Sequence, residues 1–338
     1  MLSLPVVLLS GDWAIVVFVC VFSYALVRYV RSPWRKVPPG PRGLPFLGNI
    51  RELSNTRWLT SPESKAAYGD IMHLRIPGQS VVFLNSQKVA ADRFDRRAAI
   101  YSDRPHLILV SEMYTGGMEL SLAPYGDRWR RMRRAAHEGL NIFAVKQYQP
   151  VQSKEAVILA LDILVDSTNW AVHLRRHAAS LIMSVLYDKP TTERADDESV
   201  VKINEHVMRL VVVTLPGSNW VQIFPWMKHI PSRFAKWKRT ALTWFSHDSD
   251  VFQGLMDNVR SKLAVGIESA SLGATLIAYQ ERIGLSDLEI AWLASQMFIA
   301  GAETTSSSLE YRDRAPVFSD LPALPYHKGL RLELEVAE

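Results

Sequence analysis

The chain has 338 residues, 48% hydrophobic and 22% charged, enough for one large globular domain or two smaller ones. A net charge of +5 is too modest to argue for nucleic acid as the partner, and equally suits a protein beside an anionic membrane or an acidic protein. One cysteine, Cys20, excludes an intrachain disulfide, favours a reducing compartment, and excludes any thiolate site from the rest of the sequence.

The first predicted element is a membrane anchor over residues 1–30. Trp13 to Val27 runs without a charge, and a spanning helix needs about 17–25 apolar residues, which Leu4 to Val27 supplies. Arg28, Arg31, Arg35 and Lys36 follow, so the positive-inside rule puts the remainder in the cytosol. Residues 31–50 form a basic, Pro-rich hinge. Pro38, Pro39, Pro41 and Pro45 forbid helix there, and Gly40, Gly43 and Gly48 permit turns, as in a stiff linker.

Alternation in "IMHLRI" and "SVVFL" predicts two short strands near Ile71 to Leu84, joined across Pro77-Gly78. Ser86 then caps a helical run through Arg97. From Pro124 onward the pattern is mostly helical: Val157, Leu161, Leu164 and Val165 recur at helical spacing, as do Leu181, Val185 and Leu186. Between Val221 and Arg239, Phe224, Trp226, Phe234 and Trp237 interleave with Lys228, Arg233, Lys236 and Lys238. That mixture suits a bilayer interface, or equally a core-facing loop with one solvated basic side.

Three groupings bear on chemistry. "GLSDLEIAWLASQMFIAGAETT" opens with Ser286 and Glu289 in capping-box spacing and continues as a helix apolar on most sides. Within it Ala300 and Gly301 remove bulk and let a flat group approach. Thr304 and Thr305 can bond preceding carbonyls, and Glu303 offers a proton relay. A helix fraying into Ser306-Ser307-Ser308 is the plainer alternative. In "PYGDRWRRMRRAAHEG", Trp129 and Arg133 are four apart and share a face, so an indole N–H and a guanidinium can clamp a carboxylate. A solvated basic helix, or a patch for RNA or lipid headgroups, reads the same residues differently. His173 and His177 have the i, i+4 spacing of a metal pair, but the intervening arginines repel a cation, and no metal site is expected.

The order "PPGPRGLPFLGN", "YSDRP", "YGDRWRRMRR", "AGAETT" resembles the cytochrome P450 family of haem-thiolate monooxygenases, in the style of its membrane-bound fungal members. The resemblance implies a mainly α, P450-like fold with a small β region, incomplete, over residues 51–310, and a divergent tail at 311–338. It implies haem as cofactor, with Ala300 and Gly301 forming an oxygen groove. Glu303 and Thr304 become catalytic proton donors, and Trp129 and Arg133 hold the haem propionates. Implied partners are the membrane, an NADPH-dependent reductase and an apolar small-molecule substrate, with no nucleic acid, at the endoplasmic reticulum membrane. The family's axial cysteine loop and Glu-x-x-Arg helix have no counterpart here: no glutamate has an arginine three residues later, and Cys20 falls in the anchor. The chain as written is therefore expected to be inactive. The alternative is a non-catalytic membrane-anchored remnant or basic membrane-surface scaffold.

Overall fold

A computed structural model describes residues 10–30, 37–44, 48–49, 62–76, 79–191, 197–215 and 218–313. It divides into two units, residues 1–102 and 103–338.

In the first unit, helix α1 (Ser10–Val30) turns its apolar side chains outward: Ile15, Phe18 and Phe22 are all exposed. The expected transmembrane anchor is nevertheless not shown. Among the described residues no helix is long and apolar enough to cross a membrane. The first six residues of the expected span, Leu4 to Leu9, lie outside the described residues.

The Pro-rich hinge does more than space two parts. Its backbone lies along a strand: the His73 N–H donates to the Pro39 carbonyl at 2.9 Å and the Asn49 N–H to that of Arg75 at 2.6 Å. A Cβ on Gly40 would fall 1.9 Å from the His73 carbonyl oxygen, so this close approach requires glycine. Helix α2 (Pro62–Tyr68) precedes strands β1 (Ile71–Ile76) and β2 (Gln79–Leu84), which pair antiparallel with Ile71 opposite Leu84 and Ile76 opposite Gln79. The expected turn at Pro77-Gly78 lies outside the described residues. Ser86 caps α3 (Gln87–Phe94) by accepting the Val89 N–H. The run expected to reach Arg97 stops at Phe94, because Asp95-Arg96-Arg97 offers no apolar stripe to bury, and the chain resumes in α4 (Ala98–Tyr101).

The second unit begins with a π-helix, Ile108–Tyr114. It continues through α5 (Asp127–Leu140), α6 (Gln149–Val165), α7 (Trp170–Tyr187), α8 (Glu198–Thr214), α9 (Trp220–Ile223), α10 (Lys236–Ala264), α11 (Leu272–Ile283) and α12 (Asp287–Asp313). The fold is mainly helical with one two-stranded sheet among the described residues, as expected.

The main core forms where α12 crosses α7, α10 and α11. Ile290, Ala291, Trp292, Leu293 and Ala294 are each fully buried there, with Met183, Phe252, Met256 and Leu272. Five consecutive buried residues explain why this stretch is apolar all round: every face has a neighbour. Trp292 stacks on Phe245 at 5.7 Å, meets Phe252 edge-on at 5.2 Å, and donates its indole N–H to Ser249 Oγ at 3.0 Å. A buried indole with a satisfied N–H adds both apolar burial and a fixed orientation.

A smaller cluster holds Ile108, Leu109 and Tyr114 of the π-helix against Val221 and Ala241, with Met227, Trp237 and Trp244 packed around it. Within the aromatic–basic stretch, then, Met227 and Trp237 pack against this cluster while Trp226 and Phe234 are exposed. One stripe faces the opposite way from an ordinary core. Val157, Leu161, Leu164 and Val165 of α6 are all exposed. The inner face of α6 is anchored instead by Glu155, fully buried, which accepts from Ser180 Oγ at 2.8 Å and pairs with Arg176 of α7 at 3.4 Å.

Candidate functional site

Helix α12 changes character at Ile299. Its start is fixed by the expected capping box: the Ser286 N–H donates to Glu289 Oε2 at 2.9 Å, and the Glu289 N–H returns to Ser286 Oγ at 3.2 Å. After Phe298 the helix stops being buried on every side, and Ala300 and Thr304, one turn apart, are both exposed. The Thr304 hydroxyl donates back to the Ala300 carbonyl at 2.5 Å. That bond diverts a main-chain acceptor of the helix, which the paired threonines suggested. Gly301 points elsewhere. A Cβ there would lie 2.7 Å from Ile182 Cδ1, so the space Gly301 leaves is filled by α7. The small, flat face is therefore that of Ala300 and Thr304, with Gly301 letting α7 and α12 close behind it. Glu303 occupies the same helical turn, and its side chain lies outside the described residues.

The second motif sits at the start of α5. Gly126, Asp127, Arg128 and Trp129 line a cleft of about 450 Å³ together with Ser111, Glu112, Gly116 and Gly117. Gly116 and Gly117 both have positive φ, 57° and 74°. A side chain on Gly116 would strike Phe245, so the turn that shapes this wall depends on glycine. Trp129 is half-buried, with its ring 5.2 Å from Tyr125. Arg133, one turn on, is exposed and has no hydrogen-bond or ion-pair partner among the described residues.

The two motifs are linked by a residue that the spacing did not single out. Arg128 Nε pairs with Glu289 Oε1 at 3.1 Å, while its Nη1 donates to the Gly116 carbonyl at 3.1 Å. Glu289 is thus a cap for α12 with one oxygen and a tie to α5 with the other.

A buried polar cluster also escaped the sequence. Asp248 of α10 is 1% exposed and receives four hydrogen bonds. Oδ2 accepts from Tyr114 Oη at 3.0 Å and from His206 Nδ1 at 2.7 Å; Oδ1 accepts from Arg209 at 2.6 Å and from His247 at 3.1 Å. The proton is assigned to His206 Nδ1 because it faces a carboxylate. Burial raises the Asp248 carboxyl pKa, but the hydrogen bonds and charges around it outweigh burial and hold it below the ordinary value. Burial likewise drives the Tyr114 hydroxyl pKa upward. Glu119, between the π-helix and α5, has a raised pKa because it is buried. Its Oε2, His206 Nε2 and the buried Ser111 Oγ are without a hydrogen-bond partner among the described residues. Tyr114, His206 and Asp248 lie 42 to 134 positions apart, so no local pattern could have joined those three. The one available signal was the polar residue on an otherwise apolar helix face, His206 above all.

His173 and His177 do not converge. His173 Nε2 meets the Asp166 carbonyl at 3.0 Å and His177 Nδ1 the Glu155 carbonyl at 3.1 Å.

A family model described as Cytochrome P450 matches residues 38–312. The chain belongs to the cytochrome P450 family. A cytochrome P450 monooxygenase of Armillaria gallica is 46% identical over 345 residues, covering 95% of this chain and 66% of the relative. Cytochrome P450 monooxygenase 58 of Postia placenta is 44% identical, covering 88% of this chain and 61% of the relative. The chain thus spans just under two-thirds of the length of these P450 relatives. A zebrafish cytochrome P450 structure with progesterone aligns with a TM-score of 0.57 at 17% identity over 74% of this chain and 58% of that one, a likeness of fold.

Haem is the cofactor of the cytochrome P450 family. The residues of the second unit fit it on one side only. Ala300 and Thr304 present small, exposed side chains that leave room for a flat ring, and Arg133 is a cation without a counter-charge among the described residues. No cysteine occurs between residues 103 and 338, so the sulfur donor of haem-thiolate chemistry is not supplied by that unit.

Proposed function

We propose that residues 103–313 form the distal wall of a cytochrome P450 monooxygenase site, oxidising an apolar small molecule with oxygen and electrons from NADPH passed through a reductase. The observation that supports this best is the abrupt exposure of Ala300 and Thr304 directly after a stretch, Glu289 to Gln296, in which every residue is buried. Small surface left uncovered midway along such a helix leaves room for a flat occupant. In this reading Ala300 leaves room beside the ring, and Gly301 lets α7 close behind it. Thr304 holds a proton at Oγ1, and Glu303 exchanges protons with solvent from the same turn. Trp129 and Arg133 receive the propionates, the indole as a neutral donor and the guanidinium as a charge. Haem would supply the oxygen chemistry; the chain's own residues bind, orient and relay protons.

Exposed Arg130 and Arg134 offer a basic surface to an acidic reductase. The outward-facing apolar side chains of α1, followed by Arg28, Arg31, Arg35 and Lys36, support placement at the endoplasmic reticulum membrane with the second unit on the cytosolic side. These 338 residues by themselves lack the thiolate, so we propose that alone they bind haem weakly and do not turn substrate over.

Titrating hemin into the purified 338-residue chain and following tryptophan quenching tests the assignment. Saturable binding is expected, weakened about tenfold by Arg133→Ala, because loss of one charge-assisted contact of about 1.5 kcal/mol is about tenfold in affinity. Trp129→Phe should weaken it less, and Ala300→Leu should weaken it by bulk. Equal binding by all four proteins would overturn the assignment.

A further inference from the structure

The Asp248 cluster is larger than packing requires. Four donors saturate one buried carboxylate, and they come from three separate elements: Tyr114 from the π-helix, His206 and Arg209 from α8, and His247 from α10 itself. Tyr114 is the last residue of the π-helix, and that helix also contributes Ser111 and Glu112 to the cleft wall. The two glycines that follow Tyr114 at positions 116 and 117 take left-handed conformations, turning the chain directly after the helix. Gln222 holds the start of the π-helix at the Ile108 N–H and Arg128 holds the Gly116 carbonyl, while the side chain of Tyr114 anchors the helix's last turn to the interior. Its ring is fully buried, 5.3 Å from that of His206 and 5.7 Å from that of Trp244, and its hydroxyl ends on Asp248.

We propose that Asp248 is a positioning residue: acting through Tyr114 and His206, it holds the π-helix in place and so sets the shape and access of the cleft beside Trp129. The inference rests on the proposed function only in treating that cleft as part of the ligand site; the clamp itself is a statement about the chain alone. The charged groups around Asp248 are His206 and Arg209 on α8, with Glu205 behind Arg209 at 3.7 Å, His247 on α10, Tyr114 on the π-helix, and Glu119, which senses His206. Arg209 is the fixed counter-charge, so the cluster keeps a neutral core in which hydrogen-bond geometry selects the conformation.

Two features make a direct test available. Cys20 is the only thiol, so a Cys20→Ser background accepts a single reporter. Ser111 is 4% exposed with an unpartnered hydroxyl among the described residues, so Ser111→Cys places that reporter in the cleft wall with little change of size. Its labelling rate by an aromatic disulfide reagent, and amide exchange over residues 108–114, both read the opening of the π-helix. Exchange over 290–298 serves as the internal reference.

Asp248→Asn is expected to speed labelling and exchange at the π-helix at least tenfold while the reference changes less than twofold. Tyr114→Phe, which deletes one oxygen from a fully buried ring, should act in the same direction and more weakly. His206→Asn keeps a donor near the Nδ1 position and should restore most of the protection that His206→Leu loses. If Asp248→Asn leaves the π-helix at the parent rate, or speeds both regions equally, Asp248 is a general stability residue and the proposal is wrong. If that variant does not fold, Tyr114→Phe decides by the same two outcomes. None of these readouts involves hemin, so a failed hemin titration and a failed clamp are separate results.

Discussion

The two halves of α12 obey different rules. From Asp287 to Phe298 the helix is capped at its start, polar groups such as Trp292 Nε1 and Gln296 are bonded, and every residue from Glu289 to Gln296 is buried. From Ile299 to Ser306 small and hydroxylated residues replace large ones, Thr304 diverts a backbone acceptor, and a face opens. One helix thus carries the core of the second unit and, in the proposed reading, one wall of the ligand site. The transition lies at Ala300 and Gly301, where bulk disappears.

That contrast can be broken by substitution. Trp292→Ala should cost about 3–5 kcal/mol, because removing a fully buried aromatic leaves a cavity that the surrounding helices cannot close; urea unfolding measures it, and a loss below about 1 kcal/mol would deny the first half its core role. Gly301→Val should cost about 1–3 kcal/mol by overpacking against Ile182, a measure of how tightly α7 closes behind the site. Ser286→Ala should remove about 1 kcal/mol by deleting the cap. Thr304→Ala should change stability by no more than about 0.5 kcal/mol, since an exposed side chain away from packing rarely does more. A large loss at Thr304 would mean that the second half is structural after all.

Acid–base behaviour sharpens the same point. Glu119 lies beside the first half, where Gln296 bonds the Met118 carbonyl and the Leu120 N–H, and its carboxyl is raised by burial. A raised carboxyl favours the folded state below its unfolded pKa and loses that advantage as pH rises through the folded value. Glu119→Gln should therefore gain stability relative to the parent at pH 8 and little at pH 4. Asp248, held low, does the reverse: its contribution is present above the unfolded pKa and lost as pH falls through the folded one.

How much of this was legible depended on the distance between partners. Periodicity and capping residues found α12, α3 and the β hairpin, since their causes lie within a few positions of each other. The direction of a face was harder to read. The α6 stripe has helical spacing but points outward, because the buried pair Glu155–Arg176 takes the inner face, and spacing alone cannot say which side has a neighbour. Trp129, Arg133, Ala300 and Thr304 stood out as departures from a pattern, and Gly301 did too, though its missing side chain turned out to admit α7. Asp248 and Tyr114 did not stand out, since each is unremarkable until the fold brings it to the others; only His206, on an otherwise apolar face, offered a signal.

The most direct measurement is the Soret spectrum of the purified 338-residue protein, loaded with hemin, reduced and exposed to carbon monoxide, alongside a full-length relative as control. The expected result is a thiolate-type shift in the relative and none in this chain, which has no cysteine between residues 103 and 338 to place beneath a haem. A thiolate-type spectrum from these residues alone would contradict that description of the site.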